Sequence, residues 1–430
     1  MRLLAIAPTG FFADYGCHVR IQGHLRALQD LGYQVRLVTY PAGRDLPGLS
    51  ILRPPLPLIR NLPVGSSRRK LLLDALLGPT ALAAALRFRP HILHTYLHEG
   101  ALLGWPLARL LGAHLSFDYQ GSLTAEMLDH HFLRPRSPWL PLLRRLEDWI
   151  EQRPQVIFAS SAPARDRLQA RGLPPAQRGL PPARRGLPPA RRGLPPARRG
   201  LPPAQRGLPP ARRGLPPARL HLLPDSVDVD VFAPRPPDPA LAARLGLDPG
   251  QPVVVYLGLL APYQGIDLLL AAIAHPLLAA TPAQFLIMGF PDVDRYRAQA
   301  QALGVAGRAI FTGAVPYADA PQHLALGDIA VAPKLSTTEG SGKLLPYMSM
   351  ALPIVATATP VHRAYLGEEG VWAEAPEPEA LAQALRWALE HRHELRARGQ
   401  RLRERAQTHY TWAHAAQIMH ETFTKLMINH

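Results

Sequence analysis

Short apolar runs alternate with amphipathic stretches along most of the chain. Leu3–Ala7, Val35–Thr39, Ile92–His94, Leu115–Tyr119 and Val156–Ser160 have strand length and are mostly apolar. Between the first two, IQGHLRALQDLG places Ile21, Leu25, Leu28 and Leu31 at three- and four-residue spacing, one face of a helix that Gly32 stops. After residue 220 the alternation restarts, with Val253–Leu257, Phe285–Met288, Ile310–Phe311, Ile329–Ala332 and Ile354–Ala356 as strands. Apolar strands alternating with helices predict parallel sheets covered on both faces. Two such series predict two doubly wound α/β domains, with a ligand where the strand carboxyl ends of both face one cleft.

The two series are separated by seven consecutive heptapeptides, Arg-Gly-Leu-Pro-Pro-Ala-(Arg/Gln), over residues 171–219. The Pro-Pro pair removes two amide donors per unit and forbids helix, and one leucine per unit is too little apolar surface to offset the entropy of ordering. The expectation is a solvated, disordered insertion with polyproline-II character. It also distorts the charge. The chain of 430 residues carries +16, but this tract holds 12 arginines and no acid, so the remainder is near +4. An arginine arm for RNA or an anionic surface is one reading of the tract; tandem expansion of a surface loop is the other.

Cys17 is the only cysteine, which excludes an intrachain disulfide and a cysteine-rich zinc site. The opening MRLLAIAP has too short an apolar run for a signal peptide and reads as a buried strand. LLLDALLGPTALAAAL, the run nearest to a membrane span, is interrupted by Asp74 and Gly78-Pro79. The chemistry concentrates in TTEGSGKLLPYMSMALPIVATATPVHR, Thr337–Arg363. Its loop with Gly340, Ser341 and Gly342 runs into a helix opening near Lys343 and Leu344. Amides at a helix start plus a lysine make an anion site, and Glu339 is placed to accept sugar hydroxyls. It is not a Walker loop, because Thr337 stands where that motif needs its first glycine. The Asp228/Asp230 and Asp292/Asp294 pairs match a short Asp-x-Asp metal motif, for which chance is the better reading, and His130-His131 has no metal-ligand spacing.

This segment resembles the donor-binding signature of family-4 (group 1) retaining glycosyltransferases, which have the GT-B fold. Glu339 matches the first Glu of that signature. The second is absent, with Tyr347 or Pro346 in its place. VVVYLGLLAPYQGIDLLLAAI resembles the loop that grips the donor diphosphate, with Gly258-Leu259 and Gln264-Gly265 where Gly-Arg and Lys-Gly are usual. In the first half, FFADYGCHVRIQGHLRALQDLG resembles the first glycine-rich loop and helix, with Gly16, Cys17 and His18 at its end. HILHTYLHEG resembles the loop with an active-site histidine, His98 or else His94, and Gln120-Gly121 replaces a common His-Gly. The repeat flanks resemble the family's interdomain bridge around a single unit.

The resemblance covers nearly everything but the repeats. It implies a first Rossmann-like, acceptor-side domain over 1–165, an interdomain segment over 166–222, a donor domain over 223–407, and a last helix over 408–430 crossing back. Its expected catalytic residues are His98 and Glu339. Gly16, Gly258, Gln264, Gly340, Ser341, Gly342, Lys343 and Leu344 are expected to join Glu339 at the donor, with Cys17, His18 and Gln120 on the acceptor side. The implied reaction is retaining, metal-independent hexose transfer from a nucleotide diphosphate sugar to a glycan, lipid or small molecule, with no cofactor and no specific nucleic-acid partner. The implied location is the cytoplasm, with peripheral association with anionic membrane at its inner face as an extension. RLEDWIEQR reads first as an ordinary amphipathic surface helix, with membrane contact through Trp149 and its arginines as the alternative. Two alternatives stay open: a non-catalytic binding protein of the same fold, and an RNA or anionic-surface binder acting through the repeats.

Overall fold

The computed structural model describes residues 1–55, 68–129, 132–170, 219–336 and 340–428. The repeat tract 171–218, the His130-His131 pair and Glu339 lie outside the described residues.

The first sheet has seven parallel strands: β1 Arg2–Ala7, β2 Gln34–Thr39, β3 Ser50–Leu52, β4 Ile92–Tyr96, β5 His114–Tyr119, β6 Val156–Ala159 and β7 Leu220–Leu222, in the order 3-2-1-4-5-6-7. The second has six parallel strands: β8 Val253–Leu257, β9 Gln284–Met288, β10 Ala309–Gly313, β11 Ile329–Ala332, β12 Ile354–Thr357 and β13 Val371–Ala373, in the order 10-9-8-11-12-13. Both interiors are buried on two faces. Leu3, Ala5 and Ala7 pack under one layer of helices and Leu4 and Ile6 under the other. Val253 and Val255 likewise face away from Val254 and Tyr256. All ten expected strands are present. The three extra ones, β3, β7 and β13, are three-residue strands with too few residues to show a period.

The helix expected to stop at Gly32 spans Gly16–Asp30, and Gly32 takes φ +81°. The interrupted run at Asp74 and Pro79 is nonetheless one helix, Arg68–Phe88, with Pro79 inside it. Asp74 accepts a hydrogen bond from Tyr40 Oη (2.6 Å), which gives the acid a partner at the helix surface. No described helix is long and apolar enough to cross a membrane. The first domain extends past residue 165, because β7 pairs in register with β6 and the helix Ala162–Ala170 lies between them. The last helix, Trp412–Ile428, packs on the helix Gly16–Asp30 and seals the first core with Met419 and Phe423.

Candidate functional site

Both sheets reverse their strand order beside a central strand, and the loops at those carboxyl ends face each other. They enclose about 330 Å³ between the domains. Loops after β1, β4, β5 and β6 supply one wall, and loops after β8, β9 and β11 the other.

The second wall is built on small residues. A side chain at Gly289 would run into the Gly258 carbonyl, and a Cβ at Gly258 would lie 2.9 Å from Lys343 Nζ. The missing side chains let two backbones and one ammonium meet. Lys343 Nζ lies 4.3 Å above the Tyr256 ring centroid and donates to Tyr256 Oη at 3.2 Å. Lys334, 3% exposed, donates from Nζ to the Gly340 carbonyl at 2.6 Å. His362 props the loop from below. Its Nδ1 is 2.8 Å from the Thr357 carbonyl, which can only accept, so Nδ1 carries the proton and Nε2 accepts from Ser341 Oγ at 3.0 Å. Burial, together with Lys334 and Lys343, holds this imidazole down at about 4, so it is neutral near pH 7. The Leu344 and Leu345 amides turn back onto the Ser341 and Gly342 carbonyls, and the helix that follows, Leu344–Ser349, is only six residues long. Its dipole is correspondingly short, which places more weight on the two lysines.

The first wall centres on Arg20, 2% exposed on the helix Gly16–Asp30. Its Nε and Nη2 donate to Asp118 at 2.9 and 2.6 Å, Nη2 to the Leu223 carbonyl at 2.8 Å, and Nη1 to Asp225 at 3.1 Å. Burial alone would raise the Asp118 carboxyl, but Arg20 overcomes that and holds it at about 2. Gln120 Nε2 donates to the same carboxylate at 2.9 Å. Two further contacts join the domains: Asp14 Oδ1 accepts from the Tyr317 amide (3.2 Å), and Ser336 Oγ donates to Asp129 (3.0 Å).

Of the expected site residues, Gly16, Cys17, Gln120, Gly258, Gln264, Gly340, Ser341, Gly342 and Lys343 line this one cleft. Burial first, then Asp118 and Glu126, push the Cys17 thiol up to about 12, so it is held as the protonated thiol near pH 7. Three expectations are corrected. Leu344 is fully buried and packs in the second core with Leu345 and Met348. His18 lies beneath the first loop, accepting from the Ala13 amide at Nδ1 (2.8 Å) and bonding Thr9 through Nε2 (2.7 Å); burial lowers it to about 3. It shapes the loop without lining the cleft.

His98 is the largest departure. Its ring packs inside the first domain against Phe117 and Tyr119, with Nε2 3.4 Å from Glu151. Leu97, with φ +60°, takes the cleft-lining place. Burial opposes charging of His98, but Glu151, Glu147 and Glu99 outweigh it and raise its pKa. His98, Glu147 and Glu151 place donor atoms within 4.8 Å of one another, the group among the described residues that could hold a metal, and they do so away from the cleft. His94 is also interior, beside Ser116 at 3.0 Å. Trp149, too, turns inward onto Trp105 and Arg153, while Trp139, Leu142 and Leu146 are the exposed apolar side chains around the helix Leu140–Glu151.

At the position of the missing second acid, Pro346 lines the cleft, whereas Tyr347 is buried and its hydroxyl accepts from the Leu257 amide at 2.6 Å. Neither replaces a carboxylate. Sequence reasoning passed over Arg20, Asp225, Lys334 and His362. Lys334 was findable, being a lysine two residues past an apolar strand; the others depend on partners 98 or more residues away, or on a hydroxyl 21 residues upstream.

Two family models match the chain: "Glycosyl transferase 4-like domain" over residues 15–184 and "Glycosyl transferases group 1" over 251–391. They fall on the two domains in the expected order. The chain belongs to the group 1 glycosyltransferases, with the GT-B fold. Among curated relatives of these glycosyltransferases, a GDP-mannose-dependent alpha-(1-6)-phosphatidylinositol monomannoside mannosyltransferase of Mycolicibacterium smegmatis is 36% identical over 126 residues, 29% of this chain and 32% of that protein. A D-inositol 3-phosphate glycosyltransferase of Rhodococcus opacus is 30% identical over 239 residues, 49% of this chain and 51% of that protein. The matches thus span 32% to 51% of the length of those relatives. Among solved structures, sucrose-phosphate synthase from Thermosynechococcus elongatus superposes with a TM-score of 0.76 at 17% identity over 100% of both chains. Anabaena HepE in complex with UDP-glucose superposes with a TM-score of 0.69 at 15% identity, over 99% of this chain and 100% of that one. At these identities the superpositions establish the fold.

Proposed function

We propose that this glycosyltransferase moves a hexosyl group from a nucleoside diphosphate sugar to an acceptor hydroxyl, with retention of configuration and without a metal. The observation that carries this reading is the convergence of Lys343, Lys334 and the Gly340–Gly342 loop on one cleft between two sheet ends. A departing diphosphate needs positive charge fixed in advance, in a site shielded from water. The two ammonium groups and the loop amides meet that need. Glu339, by its place in the sequence, would hold the sugar hydroxyls. The C1–O bond to the diphosphate breaks as the acceptor oxygen bonds C1 on the same face, and the leaving phosphate oxygen takes the acceptor's proton. No side-chain base is required.

The acceptor class is proposed to be a glycan, lipid or small molecule carrying a free hydroxyl, and the location the cytoplasm. Exposed Trp139, Leu142 and Leu146 beside Arg144 and Arg145 support contact with an anionic membrane face. The test is release of nucleoside diphosphate by the full chain from UDP-, GDP- and ADP-hexoses, with and without EDTA. Turnover of one donor in EDTA is expected, with an anomer in the product matching the donor's. Turnover that EDTA abolishes and magnesium restores would overturn metal independence; an inverted anomer would overturn retention. The absence of a second acid at Pro346 favours the alternative of a binding protein, which predicts nucleotide binding with no turnover of any donor.

A further inference from the structure

We propose that Asp225 is a positioning residue that sets the glycine-rich loop, braced by Arg20 from the first domain and bearing on Gly340 in the second. This rests on the donor-transfer reading above. Asp225 lies just after β7, where the chain passes from one domain to the other, and it touches both. Its amide donates to Tyr365 Oη at 3.2 Å, in the helix Pro360–Leu366 of the second domain. Its Oδ1 accepts from Arg20 Nη1 at 3.1 Å. Its Oδ2 faces the loop: a Cβ at Gly340 would stand 2.6 Å from it, and one at Gly342 would stand 3.5 Å away. These two glycines therefore leave room for a carboxylate as well as for a ligand.

The brace is rigid on one side. Arg20 is held by three bonds to Asp118 and the Leu223 carbonyl, so its planar fork presents Nη1 in one direction. The carboxylate is 18% exposed, against 2% for Arg20, so Asp225 is the more accessible partner. One guanidinium cannot neutralise two carboxylates. Asp118 takes the bidentate contact; burial and the nearby Asp118 push the Asp225 carboxyl up, while Arg20 and Lys334 work against that, and the Lys334 ammonium grips the Gly340 carbonyl at 2.6 Å. The loop is thus held at Gly340 by a bond from Lys334, and the Asp225 carboxylate occupies the space into which a side chain at Gly340 would project. Turning one domain against the other would shift Asp225 against Gly340, so the loop's shape depends on how the domains sit.

The test uses the full chain and hydrogen exchange at the Leu344 and Leu345 amides, which bond to the loop carbonyls of Ser341 and Gly342. Asp225→Asn, nearly isosteric and uncharged, is expected to speed their exchange at least 5-fold, with the peptides of β8 and β11 unchanged. Arg20→Lys, which touches no loop atom, is expected to do the same. Nucleoside diphosphate affinity, titrated with UDP and GDP, should fall in parallel. Unchanged exchange in a folded Asp225→Asn protein overturns the proposal. If that variant does not fold, Gly340→Ala decides: its methyl meets Oδ2, so faster exchange supports the contact and unchanged exchange overturns it. Failure of the unsubstituted chain to bind or turn over any nucleotide would instead sink the donor reading, while the exchange result would still decide the role of Asp225.

Discussion

Lys343 and His98 show how differently two basic residues read from the same sequence are used. Lys343 stands over Tyr256 at the cleft, so removing it takes a charged hydrogen-bond donor from the anion site. Lys343→Ala is expected to weaken UDP or GDP binding about 10- to 100-fold, or ~1.4–2.8 kcal/mol, in a calorimetric titration. Lys334 keeps the loss from being total. His98 is an internal partner of Glu151, and its truncation leaves carboxylates buried without their imidazole. His98→Ala is expected to lower stability by about 2–4 kcal/mol in chemical denaturation. Nucleotide affinity of the folded fraction should stay within about 3-fold. A loss of turnover without loss of stability would return His98 to the catalytic machinery.

At the scale of elements, two contacts decide how the first domain holds together. The returning helix Trp412–Ile428 lies on the helix Gly16–Asp30 because Gly23 has no side chain; a Cβ there would overlap the Trp412 ring. Gly23→Ala is therefore expected to cost about 1–3 kcal/mol, read as a lowered thermal midpoint. The second contact is Arg20 with Asp118, which ties that same helix to the end of β5. The folded Asp118 carboxyl titrates at about 2 against 3.8 without the fold. A depressed acid stabilises above its unfolded value and loses that contribution as pH falls toward its folded one. Stability on the order of 2 kcal/mol should therefore disappear between pH about 4 and 2. Urea denaturation at successive pH values measures this, and Asp118→Asn should remove that part of the acid dependence.

For the whole molecule, the repeats pose the open length question, and the structure says which copy to keep. Arg219, the last residue of the last unit, donates to the Gln152 and Pro154 carbonyls and anchors the start of β7. Deleting 171–212 retains that unit and its Arg219. Loop closure varies as ~(3/2)RT ln n, so shortening 49 residues to 7 changes stability by only about 1–2 kcal/mol, in the favourable direction. The shortened protein is expected to keep its thermal midpoint or gain a few degrees and to keep donor turnover. Deleting 178–219 instead places Gln177 before Leu220 and should cost about 1 kcal/mol or more relative to the first deletion. Collapse of turnover in a folded 171–212 deletion would give the repeats a role of their own.

The sequence by itself determined the architecture and much of the cleft. Apolar runs of two to five residues with helical patterns between them point to parallel sheets covered on both faces. Loops at strand carboxyl ends carry the glycines that bring Gly258, Gly340 and Lys343 together. Each is a local signal within its own loop, Gly258 just after β8 and Gly340 with Lys343 three residues apart before the helix Leu344–Ser349. The tertiary structure alone decided the rest. His98 lies one residue past the cleft-lining Leu97, and a single left-handed residue there turns the next ring inward, which no spacing rule anticipates. Arg20 and Asp225 are separated by 205 positions, and His362 reaches the glycine-rich loop from beyond β12. Such pairs depend on how far two domains rotate and which donors remain unspent, and those quantities exist only once both sheets are packed and the charges they bury have found their partners.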